Sequence, residues 1–140
     1  MFARPVVAFD IETIPDPDLG RRHHGLTGSD EQVVREMVRL RLEETEGSTE
    51  YPQLPWQRVV CVCATILDAH SCEIRHLGGG PLDERTHVDG FFRLAEQRSP
   101  LLVSWNGRGF DVPVLRYRAL ALGVAAPGFY EKSDDHIDVM

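Results

Sequence analysis

The sequence predicts an α/β fold in which a mixed β-sheet is flanked by helices. Short runs of β-branched and aromatic residues alternate with segments of helical periodicity, and one pair of strands is separated by a turn short enough for an antiparallel hairpin. Two helical segments lie between strands, where they can act as crossovers. The 140 residues, 42% hydrophobic and 26% charged, suit one domain over residues 1–140.

The first predicted element is a buried strand at residues 4–12 (RPVVAFDIE). A long insertion at residues 13–57 follows, opened by Pro15, Pro17 and Gly20. Further along, Ser29 and Gln32 form a capping-box pattern in front of apolar residues at helical spacing. That pattern predicts an amphipathic helix at residues 30–44.

The remaining predicted elements are, in chain order, a strand at residues 58–67, its hairpin partner at 72–77, a helix at 83–98, a strand at 101–105, a helix at 111–122 and the start of a fifth strand at 136–140. The segment RVVCVCATIL at 58–67 is the most strand-like of all. Pro113 in the first turn and Gly123 just past the end bracket the last helix. The sheet is expected to be truncated at the start of its fifth strand.

Composition limits where the protein works and what it binds. No apolar run approaches the roughly 18 residues that span a bilayer, and the N-terminus lacks a signal core, so we expect a cytoplasmic protein without membrane contact. The net charge of -7 argues against binding nucleic acid through a generally basic surface. Any such affinity would have to come from a local basic patch, bound cations or residues outside this chain.

Three cysteines, Cys61, Cys63 and Cys72, are too few for a disulfide scaffold, and we expect reduced thiols. The C-x-C spacing lacks the two-residue gap of a zinc knuckle. Burial in the core is therefore the favoured interpretation of these thiols over a metal site.

Asp10 and Glu12 are the first candidate functional residues. Side chains two apart on a strand point to the same face, so an otherwise apolar strand presents two adjacent carboxylates near its end. Such charges repel unless water or a cation screens them, and Mg²⁺ prefers oxygen ligands. Taken alone, D-x-E indicates a metal site or a solvated strand end equally well.

Asp111 is the second candidate. It opens a helix after a glycine-flanked loop, and alone it reads as a helix N-cap. If strand 101–105 lies parallel to strand 4–12, however, all three carboxylates converge at the carboxyl edge of the sheet, where α/β proteins bind ligands.

Two segments, FDIET at residues 9–13 and NGRGFDVPVL at residues 106–115, resemble the first and second motifs of the DEDD 3′–5′ exonucleases. The likeness is to the proofreading domain of family B DNA polymerases and the stand-alone predicted exonucleases related to it. The order of elements over most of the chain agrees with that family.

The resemblance implies a ribonuclease H-like fold and metal-dependent hydrolysis of phosphodiesters at a 3′ end, with single-stranded DNA as the expected substrate. By that likeness, Asp10, Glu12 and Asp111 are catalytic and hold two Mg²⁺ or Mn²⁺ ions. Thr13 and Asn106 match substrate-contacting positions. Phe110 matches one as well, although a core role is an equal alternative.

The family also has a fourth Asp, on a helix after the fifth strand, preceded by a Tyr or His that orients the water. Asp134, Asp135, Asp138 and His136 all come too early for these roles. We therefore expect at most trace activity from this chain alone. A catalytically silent binding module is the alternative, and an exposed sheet edge would favour self-association.

Overall fold

A computed structural model describes residues 4–80, 83–126, 128–129 and 135–140. These residues form a five-stranded sheet in the order β3-β2-β1-β4-β5, together with four longer helices. The strands are β1 (Val6–Pro15), β2 (Gln57–Leu67), β3 (Cys72–His76), β4 (Leu101–Ser104) and β5 (His136–Asp138). The helices are α1 (Pro17–His24), α2 (Asp30–Glu44), α3 (Glu84–Arg98) and α4 (Asp111–Leu122). The predicted α/β class is confirmed.

The sheet is mixed, as the sequence predicts. Strands β1 and β4 are parallel, with Ala8 opposite Val103, and β4 and β5 are parallel, with Val103 opposite Ile137. Strands β2 and β3 form the predicted antiparallel hairpin. Because β1 and β4 are parallel, the end of β1, which carries FDIET, lies at the same edge of the sheet as the loop after β4, which carries NGRGFDVPVL.

The chain divides into two compact units, one of residues 14–58 and one of residues 1–13 with 59–140. In the second unit, α3 covers one face of the sheet. Phe9 of β1 packs against Phe91 of α3, with ring centroids 4.8 Å apart. Phe91, Phe92 and Leu115 are among its largest fully buried side chains.

A buried ion pair joins three elements of that second unit. Glu84, at the start of α3, accepts hydrogen bonds from Arg118 of α4, with Nε 2.6 Å from Oε1. The same oxygen accepts the backbone N–H of Val59 in β2 at 2.8 Å. Both side chains are almost inaccessible to solvent. Their charges are therefore compensated inside the protein rather than by water.

The unit of residues 14–58 is built on α1 and α2. Helix α2 has the predicted bounds, and the capping box between Ser29 and Gln32 is present on both sides. Val33 and Met37 are its buried residues. They pack on Gly20 of α1 so closely that a Cβ there would lie 2.6 Å from the Met37 sulfur.

Helix α1 is absent from the sequence prediction, which treats this stretch only as part of a long connection. Asp16 caps the helix by accepting the N–H of Asp18 at 3.0 Å, and Pro17 occupies the first turn. Gly25 ends it with φ 65°. Proline at the first helical position and glycine just past the last one favour a helix, so Pro17 and Gly25 are its boundary signals.

Among the residues that the structure describes, no helix is both long enough and apolar enough to cross a membrane.

Candidate active site

Strand β1 presents its two carboxylates on one open face. Val7, Phe9 and Ile11 are buried, whereas Asp10 and Glu12 alternate with them and are exposed. The predicted buried strand is therefore present, and only its alternate side chains enter the core. Exposure leaves Asp10 and Glu12 accessible to cations and ligands from solution.

Asp111 reaches β1 from the beginning of α4. It is buried, with 3% of its surface exposed, and its Oδ1 accepts the backbone N–H of Ile11 at 3.2 Å. The N-cap position belongs to Phe110, so Asp111 is the first helical residue. The simple N-cap interpretation is thus wrong. The carboxylate contacts the strand segment between Asp10 and Glu12.

The loop between β4 and α4 explains how Asp111 reaches this position. Asn106 turns the chain sharply with φ 56°, a conformation that Asn tolerates better than most residues. Gly107 then passes so close to Ser104 that a Cβ would overlap the Ser104 Oγ and lie 2.6 Å from its Cβ. The Gly107 carbonyl accepts the N–H of Val112 at 2.8 Å. A residue with a side chain would not fit there without moving the turn.

Asp138 of β5 holds the same loop from the other side. Its Oδ2 accepts the backbone N–H of Arg108 at 2.9 Å. That hydrogen bond holds the pKa of Asp138 below its usual range. In the sequence, Asp138 comes too early for the fourth carboxylate position, and its contact with Arg108 is not predicted. No local motif signals it, since it depends on the pairing of β5 with β4.

Electrostatics set Asp111 apart from an ordinary surface acid. Burial, followed by the negative charge of Asp10, raises its pKa to about 6, and Asp138 adds a smaller contribution. Hydrogen bonds from its own backbone amide and from the Ile11 amide oppose the rise. A buried carboxylate with a raised pKa beside other carboxylates is a frequent property of functional sites.

The chemistry of these side chains suits a hard divalent cation. Asp10, Glu12 and Asp111 supply oxygen ligands, and a cation would relieve the repulsion from Asp10 that adds to the effect of burial on the pKa of Asp111. Within the described residues, no group of three or more His, Cys, Asp and Glu side chains is already arranged closely enough to hold a metal. Water and substrate oxygens would therefore complete the coordination, as is usual for Mg²⁺.

Residues 49–139 match the model of a family described as predicted 3′–5′ exonucleases related to the exonuclease domain of PolB. The chain belongs to this family. The match includes β4, the loop and Asp111, whereas Asp10 and Glu12 precede it. The mixed sheet with its helices agrees with the ribonuclease H-like fold of such exonucleases. No curated protein matches the sequence.

In this exonuclease fold, three further residues that the motifs single out lie near the carboxylates along the chain. Thr13 follows Glu12 on β1 and is half-buried. Asn106 is exposed at the turn after β4, and Phe110 is half-buried immediately before Asp111. The intermediate exposure of Phe110 excludes neither of its two predicted roles, in the core or beside a substrate.

The residues in and immediately before β5 contact neighbouring parts of the exonuclease fold. His136 contacts the Ser104 hydroxyl through Nε2 at 2.6 Å, and its ring lies 5.8 Å from that of Phe9 on the covered face of the sheet. Burial, with help from Arg108, lowers its pKa, and Asp138 opposes the shift. Asp135 pairs with Arg4 at 2.6 Å. Asp134 lies outside the described residues.

The prediction of core thiols is wrong for two of the three cysteines. Cys63 and Cys72 are exposed, and Cys61 is half-buried. The apolar run in β2 suggests burial on both faces, but the structure covers one face of the strand and leaves Cys63 on the other.

Proposed function

We propose that this chain is a metal-dependent 3′–5′ exonuclease that hydrolyses phosphodiester bonds at the 3′ end of single-stranded DNA. Its membership of the exonuclease family supports the class of reaction. The single observation that carries the site assignment is the hydrogen bond between Asp111 and the Ile11 amide. It joins the second motif to the strand that bears Asp10 and Glu12.

In this proposal, Asp10, Glu12 and Asp111 hold two Mg²⁺ or Mn²⁺ ions. When bound, the ions would lower the pKa of the attacking water and stabilise charge on the leaving 3′ oxygen. The exposed carboxylates of Asp10 and Glu12 are open to ligand exchange, whereas Asp111 is fixed by its hydrogen bond. A fixed ligand and two accessible ones would position cations against a phosphate that enters from solution.

Three neighbouring residues would meet the substrate strand. We assign Thr13 to the terminal nucleotide through its hydroxyl or backbone, because it directly follows Glu12. Asn106 is exposed at the turn and offers amide donors and an acceptor. Phe110 is half-buried, and its aromatic ring is of a kind that stacks on bases in single-strand binding.

The alternative function is a catalytically silent module that binds nucleic acid and retains the exonuclease fold. One observation favours it: no described group of three or more potential ligands is already arranged as a metal site. The two functions differ in whether bound DNA is shortened.

The test uses 5′-labelled single-stranded DNA with the 140-residue protein at high concentration. We expect Mn²⁺ to bind in calorimetry and to support slow loss of nucleotides from the 3′ end. Asp10→Ala and Asp111→Asn should each remove the shortening, and Asp10→Ala should also abolish Mn²⁺ binding.

The matched control is Asp89→Asn, which removes a carboxylate that pairs with Arg93 on α3. It should leave both properties unchanged. Parent-like Mn²⁺ binding by Asp10→Ala would refute the site. DNA and Mn²⁺ binding without any shortening would establish the silent module instead.

A further inference from the structure

Two thiols lie side by side on β2, in the same unit as the candidate active site. The Sγ atoms of Cys61 and Cys63 are 3.5 Å apart. Cys63 is exposed and Cys61 is half-buried, so the pair is accessible from solution. Two adjacent thiols constitute a chelating group that neither the family assignment nor the proposed reaction uses.

The sulfur separation matches the requirements of a thiophilic cation. Zinc–sulfur bonds are about 2.3 Å long in a tetrahedral site, which places two sulfurs about 3.8 Å apart. The observed 3.5 Å therefore needs only a slight opening of the two side chains. Soft thiolate ligands favour Zn²⁺ and related ions over Mg²⁺.

The charges around the thiols also favour a cation. Burial raises the pKa of Cys61 to about 11, and the hydrogen bond and charge of Cys63 add to the rise. The carboxylates of Glu12 and Asp10 contribute in the same direction. The negative charges of these two carboxylates would attract a dication held between the two sulfurs. Strand β2 lies next to β1 in the sheet, which accounts for their influence.

A disulfide between Cys61 and Cys63 fits this geometry less well than a chelated cation does. Residues two apart on a strand have Cα atoms about 6.6 Å apart, near the upper limit for a disulfide. Chelation tolerates that spacing because the metal bridges the sulfurs.

We propose that Cys61 and Cys63 bind one thiophilic divalent cation of the Zn²⁺ class, at a site separate from the Asp10, Glu12 and Asp111 carboxylates. Binding replaces the two thiol protons, which pass to solvent, by two metal–sulfur bonds.

The experiment titrates the reduced, full 140-residue protein with Cd²⁺ and records the ultraviolet cadmium–thiolate charge-transfer absorption. We expect saturation at one Cd²⁺ per chain without a change in oligomeric state, and release of protons into a weakly buffered solution. Cys61→Ser and Cys63→Ser should each remove most of the absorption. Glu12→Gln should weaken the Cd²⁺ affinity several-fold, because it removes one nearby negative charge.

Cys72→Ser is the matched control, since Cys72 is an exposed cysteine on β3 opposite Leu67. It should bind Cd²⁺ as the parent does. Absence of the absorption in the parent protein would overturn the proposal, as would absorption that survives Cys61→Ser or disappears in Cys72→Ser. Because absorption reports metal–sulfur bonds and not DNA hydrolysis, its failure would leave the proposed exonuclease function untouched.

Discussion

At the scale of single residues, the main consequence of the fold is the environment of Asp111. Sequence alone identifies this residue through its motif but leaves the N-cap interpretation open. The structure favours the motif interpretation, because Phe110 occupies the N-cap position and the Asp111 carboxylate accepts the backbone N–H of Ile11 in β1. Because Asp111 is buried, ionisation of its carboxylate lowers the stability of the folded protein.

We expect Asp111→Asn to stabilise the metal-free protein at pH 7. The pKa of Asp111 rises in the folded state from 3.8 to about 6. Between these values the folded protein keeps a proton that the unfolded chain has lost, so stability falls as pH rises through this window. Asn carries no charge and should raise the free energy of unfolding at pH 7 by on the order of 2 kcal/mol.

Urea unfolding of both proteins without metal, at about pH 4.5 and at pH 7, measures this difference. The stabilisation by Asp111→Asn should shrink at the lower pH, where the parent is increasingly protonated. An equal stabilisation at both pH values would contradict the proposed cause.

At the scale of elements, the sequence predicts helices and strands better than the faces that they expose. Helices α2 and α4 have the predicted bounds because caps and apolar spacing are local signals. Helix α1 was missed because Pro17 and Gly20 suggest only a long connection, although Pro17 begins the helix and Gly20 is buried within it. The exposure of Cys63 depends on which sheet face receives helices, and local patterns do not encode that choice.

The loop that carries Asp111 depends on glycine at position 107. Gly107→Ala would place a methyl group against Ser104, so the turn must shift. We expect a loss of about 1–3 kcal/mol in the free energy of unfolding. Gly80→Ala is the control, because a Cβ there meets nothing within 4 Å. Urea unfolding at neutral pH compares the two, and equal stability of both variants would show that the turn adapts freely.

The ion pair between Glu84 and Arg118 fixes β2, α3 and α4 to one another. Arg118→Met leaves the Glu84 carboxylate buried without its guanidinium partner, and we expect a loss of about 3–5 kcal/mol. Arg39→Met removes exposed pairs with Glu36 and Glu43 on α2 and should change stability little. Thermal and urea unfolding both measure the difference. A small effect of Arg118→Met would mean that water compensates Glu84.

At the scale of the whole molecule, net charge opposes the proposed substrate. A protein of net charge -7 repels a polyanion, so cations at the carboxylates would have to contribute strongly to binding. We expect fluorescence anisotropy to detect binding of labelled single-stranded DNA by the Asp111→Asn variant with Ca²⁺ or Mn²⁺, and its loss in excess EDTA. Unchanged affinity in EDTA would point to a basic patch instead of cations.

Strand β5 lies at an edge of the described sheet, and its Ile137 side chain is 47% exposed. An unpaired edge with an apolar side chain can pair with another strand. Self-association through this edge therefore stays a prediction, which sedimentation at increasing concentration would test.

The hydrogen bond from the Ile11 amide to Asp111 also provides a built-in spectroscopic probe. The amide proton lies in β1 between the two exposed carboxylates, so its chemical shift should respond to the charge on its acceptor. In ¹H–¹⁵N spectra of the metal-free protein, we expect this resonance to titrate with a midpoint near the pKa of Asp111, about 6. Saturating Mg²⁺ should displace that midpoint to lower pH, because a bound cation favours the ionised carboxylate. The Ile11 amide resonance would thus report both the deprotonation of Asp111 and the binding of a cation to its carboxylate.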